Sequence, residues 1–250
     1  MEKVLEMKGL TKCYRNGRGI FHIDLTVYKG DIFGLFGPNG AGKTTLIKAI
    51  TGLCSPDQGE VHIFGYEVSK QFEKAMEKVG CIVETGNSFE YMTAFQNLQM
   101  ISRFYPHISS SRIDEVLELA GLKEVRHEKV KEFSSGMKQR LALAAALFSH
   151  PELVILDEPT SSMDIEGMID FRNIVKKLAK EEQVTFFICN HSIHEMERMC
   201  NRIGILYDGK LIASGLASDM MNANESLEDF YMAQIRKARG MESCQFSTSM

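Results

Sequence analysis

Apolar and polar positions along the chain fall into blocks of different period. Near the N-terminus, β-rich stretches over residues 20–28 and 31–36 are split by Gly17, Gly19 and Gly30, which predicts strands joined by turns and a small β-layer opening the fold. After Gly37 the period becomes helical: Leu46, Ile47, Ile50 and Leu53 fall on one face, and Gly52 supplies a stop. The local order is strand, glycine loop, helix. From about Thr93 to His150 the chain reads as helical, with Ile113, Val116, Leu117 and Ala120 at helix spacing and a run of strong helix formers in LALAAALF. Beyond Pro151 strands and helices alternate: a buried strand at 153–157, a helix at 164–181, a strand at 184–190, a helix at 192–200, then strands at 202–207 and 210–215. Alternation of this kind predicts a parallel sheet, so the chain is expected to be an α/β core carrying an inserted helical block. The last ten residues, MESCQFSTSM, read as a disordered tail.

Composition narrows the class of protein. At 250 residues, with 44% hydrophobic and 25% charged residues, the chain can bury a substantial core. A net charge of −4 gives no global field that would attract nucleic acid. The longest apolar runs, at 141–148 and 184–189, fall far short of the roughly 20 residues that cross a bilayer. The charged start, MEKVLEMKGLTK, lacks the features of a secretory signal, so a reducing cytoplasm is the expected compartment. Six cysteines without a CxxC pair indicate neither a zinc site nor a disulfide framework.

Candidate chemistry begins at Gly37, Pro38, Asn39, Gly40, Ala41, Gly42, Lys43 and Thr44, a full match to the phosphate-loop pattern G-x-x-x-x-G-K-[ST], set between the strand and helix it requires. Its glycines let backbone N–H groups wrap phosphate oxygens, and the following helix offers its positive end to the same anion. Lys43 is expected to neutralise the β- and γ-phosphates, and Thr44 to offer its hydroxyl to Mg²⁺. A second acidic site for the metal is found in LVILDEPT, where four apolar residues end in Asp157 and Glu158. Asp157 is expected to hold Mg²⁺, and Glu158, one residue on, to take a proton from attacking water.

The order GPNGAGKTT, FSSGMKQR, LVILDEPT, SSMD and then His191 after a strand resembles the nucleotide-binding subunit of an ATP-binding cassette transporter over about residues 2–235. Arg140, which ends the signature segment, precedes Asp157 by 17 residues, the short spacing seen in that family. The resemblance implies an α/β phosphate-loop NTPase (RecA-like) core with an N-terminal antiparallel β-layer and an inserted helical subdomain. Its implied limits are a catalytic core over about 1–86 and 150–215, a helical subdomain over 87–149, C-terminal helices over 216–240 and a flexible tail at 241–250. The implied nucleotide is ATP with Mg²⁺, and the cradle extends to Thr45. Tyr14 lies where the family stacks an aromatic on adenine, although a Tyr beside a strand can equally serve packing. Ser134, Ser135, Gly136 and Met137 match the family's LSGGQ signature, with Ser135 and Met137 departing from it, and would cap the γ-phosphate held by a second subunit. Ser161, Ser162, Met163 and Asp164 match the segment that crosses between subunits, and His191 the histidine that contacts the γ-phosphate.

Glu84 departs further: the family normally carries Gln there, at the end of VGCIVE, where the side chain reaches Mg²⁺ and the attacking water. That replacement, with SSGMKQR, looks like the subgroup that exports bacitracin-like peptides and protects lantibiotic producers. The implied partners are an integral-membrane permease and a second cassette subunit, identical or not, with no nucleic acid. The implied place is the cytoplasmic face of the cell membrane, reached through the permease. A soluble cassette ATPase acting on another assembly shares every catalytic residue and stays open at this point.

Overall fold

The computed structural model of the chain describes residues 1–83, 88–220 and 226–245, the last five by their backbone alone. The chain forms β1 (Lys3–Cys13), β2 (Gly19–Tyr28), β3 (Ile32–Phe36), α1 (Lys43–Ile50), β4 (Gln58–Ile63), β5 (Tyr66–Glu67), α2 (Phe72–Met76) and β6 (Val79–Ile82). The helical block follows, with α3 (Ala94–Ser102), α4 (Arg112–Leu119) and α5 (Ser135–Leu147). The chain then alternates through β7 (Leu153–Asp157), α6 (Ile165–Glu181), β8 (Thr185–Asn190), α7 (Ile193–Met199), β9 (Arg202–Tyr207) and β10 (Lys210–Leu216), and ends in α8 (Ala217–Met220) and α9 (Leu227–Gln245). The expected α/β class, antiparallel layer and helical insertion are all present.

Two sheets carry the architecture. A four-stranded antiparallel sheet has the order β2-β1-β4-β5, and a six-stranded sheet has the order β10-β9-β3-β8-β7-β6, parallel except for the β9–β10 hairpin. The central strands β3, β7 and β8 are buried at every position, which is why their sequences are continuous apolar runs rather than alternating ones. Successive side chains still point to opposite faces. Ile32, Phe36, Val154, Leu156, Phe186 and Ile188 join the core shared with the helical block, whereas Leu35, Leu153, Ile155, Phe187 and Cys189 join the core shared with α1 and the antiparallel sheet.

The sequence reading needs adjustment at three places. Leu53 is not on the buried face of α1: the helix ends at Ile50, the chain turns through Gly52 at φ 70°, and Leu53 is 65% exposed while Leu46, Ile47 and Ile50 are fully buried. The charged N-terminal stretch is itself a strand, β1, whose alternation is broken by register shifts around Gly9. The final helix runs to Gln245, five residues into the stretch read as a disordered tail.

Candidate active site

Because β3, β8, β7 and β6 are parallel neighbours, the segments that follow them emerge along one edge of the sheet. Gly37–Gly42 follows β3, Glu158 follows β7 and His191 follows β8. The glycine loop is held tightly by its surroundings. A Cβ on Gly37 would sit 2.3 Å from the Leu206 carbonyl oxygen, and Gly42, at φ 107°, has no room for one against Ile20 and the Gly19 carbonyl. Gly209 N–H donates to the Ala41 carbonyl at 3.0 Å, tying the β9–β10 turn to the loop.

Lys43 begins α1 and is only 7% exposed. Its Nζ donates to the Gly37 carbonyl at 2.7 Å and the Pro38 carbonyl at 3.4 Å, and lies 3.3 Å from Oε1 of Glu158. Thr44 Oγ1 donates to Oδ2 of Asp157 at 3.1 Å. The alternation of β7 explains that meeting: Asp157 has the parity of Leu153 and Ile155, which face the α1 layer. A hydroxyl and a buried carboxylate beside a phosphate loop are hard oxygen donors of the kind Mg²⁺ takes, so these two residues fit that ion.

Glu158 breaks the strand. Its φ of 49° is left-handed, unusual outside glycine, while its N–H donates to the Cys189 carbonyl at 2.9 Å. Its Oε2 lies 2.5 Å from Nδ1 of His191, so the carboxylate is shared between an imidazole and the Lys43 ammonium. Asn190, next to His191, carries a role that motif matching did not show. It is 1% exposed, donates from Nδ2 to Oγ1 of buried Thr160 at 2.8 Å, and accepts at Oδ1 from Ser192 N–H, so it fastens the segment after β7 to the segment after β8. A buried amide closing an apolar strand was the available signal. Burial, with Asp157 close by, pushes the neighbouring Cys189 thiol well above its ordinary value and keeps it out of this chemistry.

A cleft of about 540 Å³ opens over these groups, lined by Asn39, Gly40, Gly42, Lys43, Thr44, Thr45, Glu158, Ser161 and His191, with Tyr14, Asn16 and Arg18 on its rim. Tyr14 is 40% exposed, held in the turn between β1 and β2 by its N–H to the Arg18 carbonyl. The signature residues Ser134, Ser135, Gly136 and Met137, and Asp164 of the crossing segment, are not among the described residues that line the cleft. Ser134 caps α5 by accepting from Met137 N–H at 3.2 Å, and Asp164 caps α6 by accepting from Gly167 N–H at 2.8 Å. Met137 packs against the core of the helical block. Glu84, expected to reach the metal and the water, lies outside the described residues.

A phosphate loop, an acidic strand end and a helical insertion on a two-sheet α/β core together define a phosphate-loop nucleotide-binding cassette. The ABC transporter family profile matches residues 20–161, and the chain belongs to that family as an ATP-binding subunit. The chain is 37% identical to the bacitracin transport ATP-binding protein BcrA of Bacillus licheniformis over 95% of its own length and 78% of that protein's. It is 34% identical to the lantibiotic transport ATP-binding protein SrtF of Streptococcus pyogenes over 93% and 97% of the two lengths. Among solved structures it is similar to a dimeric ATP-binding cassette in a post-hydrolysis state bound to ADP and Pi, with a TM-score of 0.75 and 25% identity over 85% of this chain and 98% of that one.

Proposed function

We propose that this chain hydrolyses ATP to power a membrane permease that exports an antimicrobial peptide or related compound, giving resistance or self-immunity. The observation that carries the hydrolytic part is the convergence of Lys43, Thr44 with Asp157, and Glu158 with His191 at one sheet edge. In this reading the loop amides and Lys43 hold the phosphates and neutralise their charge. Thr44 and Asp157 would hold Mg²⁺, which would supply positive charge against the phosphates. Glu158 takes the proton of the attacking water as its oxygen bonds to the γ-phosphorus and the bond to the β–γ bridging oxygen breaks, leaving ADP and phosphate. His191 orients the Glu158 carboxylate for that transfer.

Pairing of two cassettes is supported by the signature's position away from its own chain's cleft and by the dimeric similar structure. Ser134 and Gly136 then cover the ATP of the partner subunit. A permease is supported by the names of the two relatives and by a largely apolar cleft of about 610 Å³ between β6, α3 and α5. Cys81, Ile82, Leu98, Ile101 and Ala142 line it, and Phe104, on its wall, is 82% exposed. Among the described residues no helix is long and apolar enough to cross a membrane. In this reading the permease is what holds the chain at the inner face of the membrane.

The test is purification of the tagged chain from detergent-solubilised membranes of the cells that make it. A multi-helix permease should copurify in detergent, and Phe104→Asp should abolish both copurification and peptide resistance while the isolated subunit hydrolyses ATP normally. Copurification with a soluble assembly, or unchanged resistance in Phe104→Asp cells at equal expression, would overturn the transport reading.

A further inference from the structure

The C-terminal helix contains none of the matched motifs, yet it touches the ends of the two strands that flank the phosphate loop. Leu227, Tyr231 and Ile235 recur every four residues along α9, which contacts α7 and β10; Leu227 and Ile235 are buried and Tyr231 packs against the core shared with the helical block. Leu227 N–H donates to Oε1 of Glu197 on α7 at 3.3 Å, anchoring the start of the helix. One turn on, the Tyr231 ring meets the Phe36 ring edge to face, with centroids 4.7 Å apart and planes at 89°. Phe36 is the last residue of β3 and immediately precedes Gly37. Two turns further, Arg239 Nε donates to the Tyr207 hydroxyl at 3.1 Å. Tyr207 ends β9, the strand whose Leu206 carbonyl closes on Gly37 and whose following turn donates from Gly209 N–H to the Ala41 carbonyl. The helix thus touches both framework segments that shape the loop. Burial raises the pKa of Tyr231, with Tyr207 adding to the rise and Arg239 opposing it, which agrees with the three groups sharing one site.

We propose that Tyr231 is a positioning residue for nucleotide binding: through Phe36, α9 holds the phosphate loop in the conformation that receives the phosphates. The proposal rests on the ATP-hydrolysing reading of the cleft. It assigns Tyr231 no contact with nucleotide, so its effect falls on affinity more than on the chemical step.

The test uses the full chain and four proteins: wild type, Tyr231→Phe, Tyr231→Leu and Tyr231→Ala. Binding of a fluorescent ATP analogue and steady-state ATP hydrolysis are measured alongside thermal unfolding. An edge-to-face aromatic pair contributes enough to shift affinity by about 2- to 10-fold. Tyr231→Leu and Tyr231→Ala should raise Kd and KM by that factor with kcat nearly unchanged, and Tyr231→Phe, which keeps the ring, should match wild type. In a Phe36→Leu background the same Tyr231→Leu change should have no further effect on KM. A merely structural role lowers the folded fraction, hence apparent kcat, and leaves KM where it was; that result, or an unchanged KM in folded Tyr231→Leu, overturns the proposal even if Tyr231→Ala does not fold. Wild type that neither binds nor hydrolyses ATP would overturn the underlying reading as well, whereas active wild type with a silent Tyr231→Leu would overturn this proposal alone.

Discussion

Nδ1 of His191 lies 2.5 Å from Oε2 of Glu158, although the two residues follow different strands. The other carboxylate oxygen of Glu158 faces Lys43 at 3.3 Å. A carboxylate pinned at both oxygens has a fixed direction, which suits a base that must meet one water. Glu158→Gln keeps the shape and removes the basicity. Turnover should fall by about 10²- to 10⁴-fold with ATP binding retained. His191→Ala, which frees the carboxylate but leaves it basic, should cost less. Wild-type turnover in Glu158→Gln would remove Glu158 from the base role.

Thr44 and Asp157, bonded to each other at 3.1 Å, are the oxygen donors proposed to hold Mg²⁺. Thr44→Val and Asp157→Asn should each raise the Mg²⁺ concentration for half-maximal hydrolysis by about an order of magnitude. Lys43→Ala should instead abolish nucleotide binding at any Mg²⁺ level. A Mg²⁺ titration of the three variants separates the two behaviours, and an unshifted curve for Asp157→Asn would exclude it as a ligand.

Ser134 is exposed at the start of α5, away from the chain's own cleft. Glu158→Gln with ATP should therefore form a stable dimer by light scattering, monomer prevailing without nucleotide. Ser134→Arg, which places bulk and charge at the signature, should keep the protein monomeric under the same conditions. One mass under all conditions would count against pairing through the signature.

Asn190 spends its side chain on two partners in a buried place. Asn190→Ala leaves Thr160 and Ser192 N–H without them, at a cost of about 1–3 kcal/mol in unfolding free energy by urea titration. Turnover should fall too, since Glu158 and His191 lose the tie between their segments. A variant with wild-type stability and turnover would reduce Asn190 to a spectator.

Local signals were the legible ones. Gly37–Thr44 and Asp157–Glu158 could be read because the loop and the strand end are each contiguous in sequence and chemically unusual. Leu53 was misplaced because helix periodicity continues on paper past a glycine at which the chain has already turned. The Thr160–Asn190 bond, the Phe36–Tyr231 ring pair and the Arg239–Tyr207 contact join distant segments, and neither partner is distinctive alone. The division between the signature and the cleft is implied by the family resemblance, and the signature residues are not among the described residues that line the cleft.

Strand parity at β7 makes length a chemical variable. Asp157 meets Thr44 because it sits an even number of residues from Leu153 and Ile155, which face α1. Inserting or deleting one residue between Leu153 and Asp157 would leave both acids in the sequence and turn each toward the wrong layer. Asp157 would face the helical block, and Glu158 would lose its place between Lys43 and His191. For this site the count of residues before the acids constrains variation as tightly as the acids themselves.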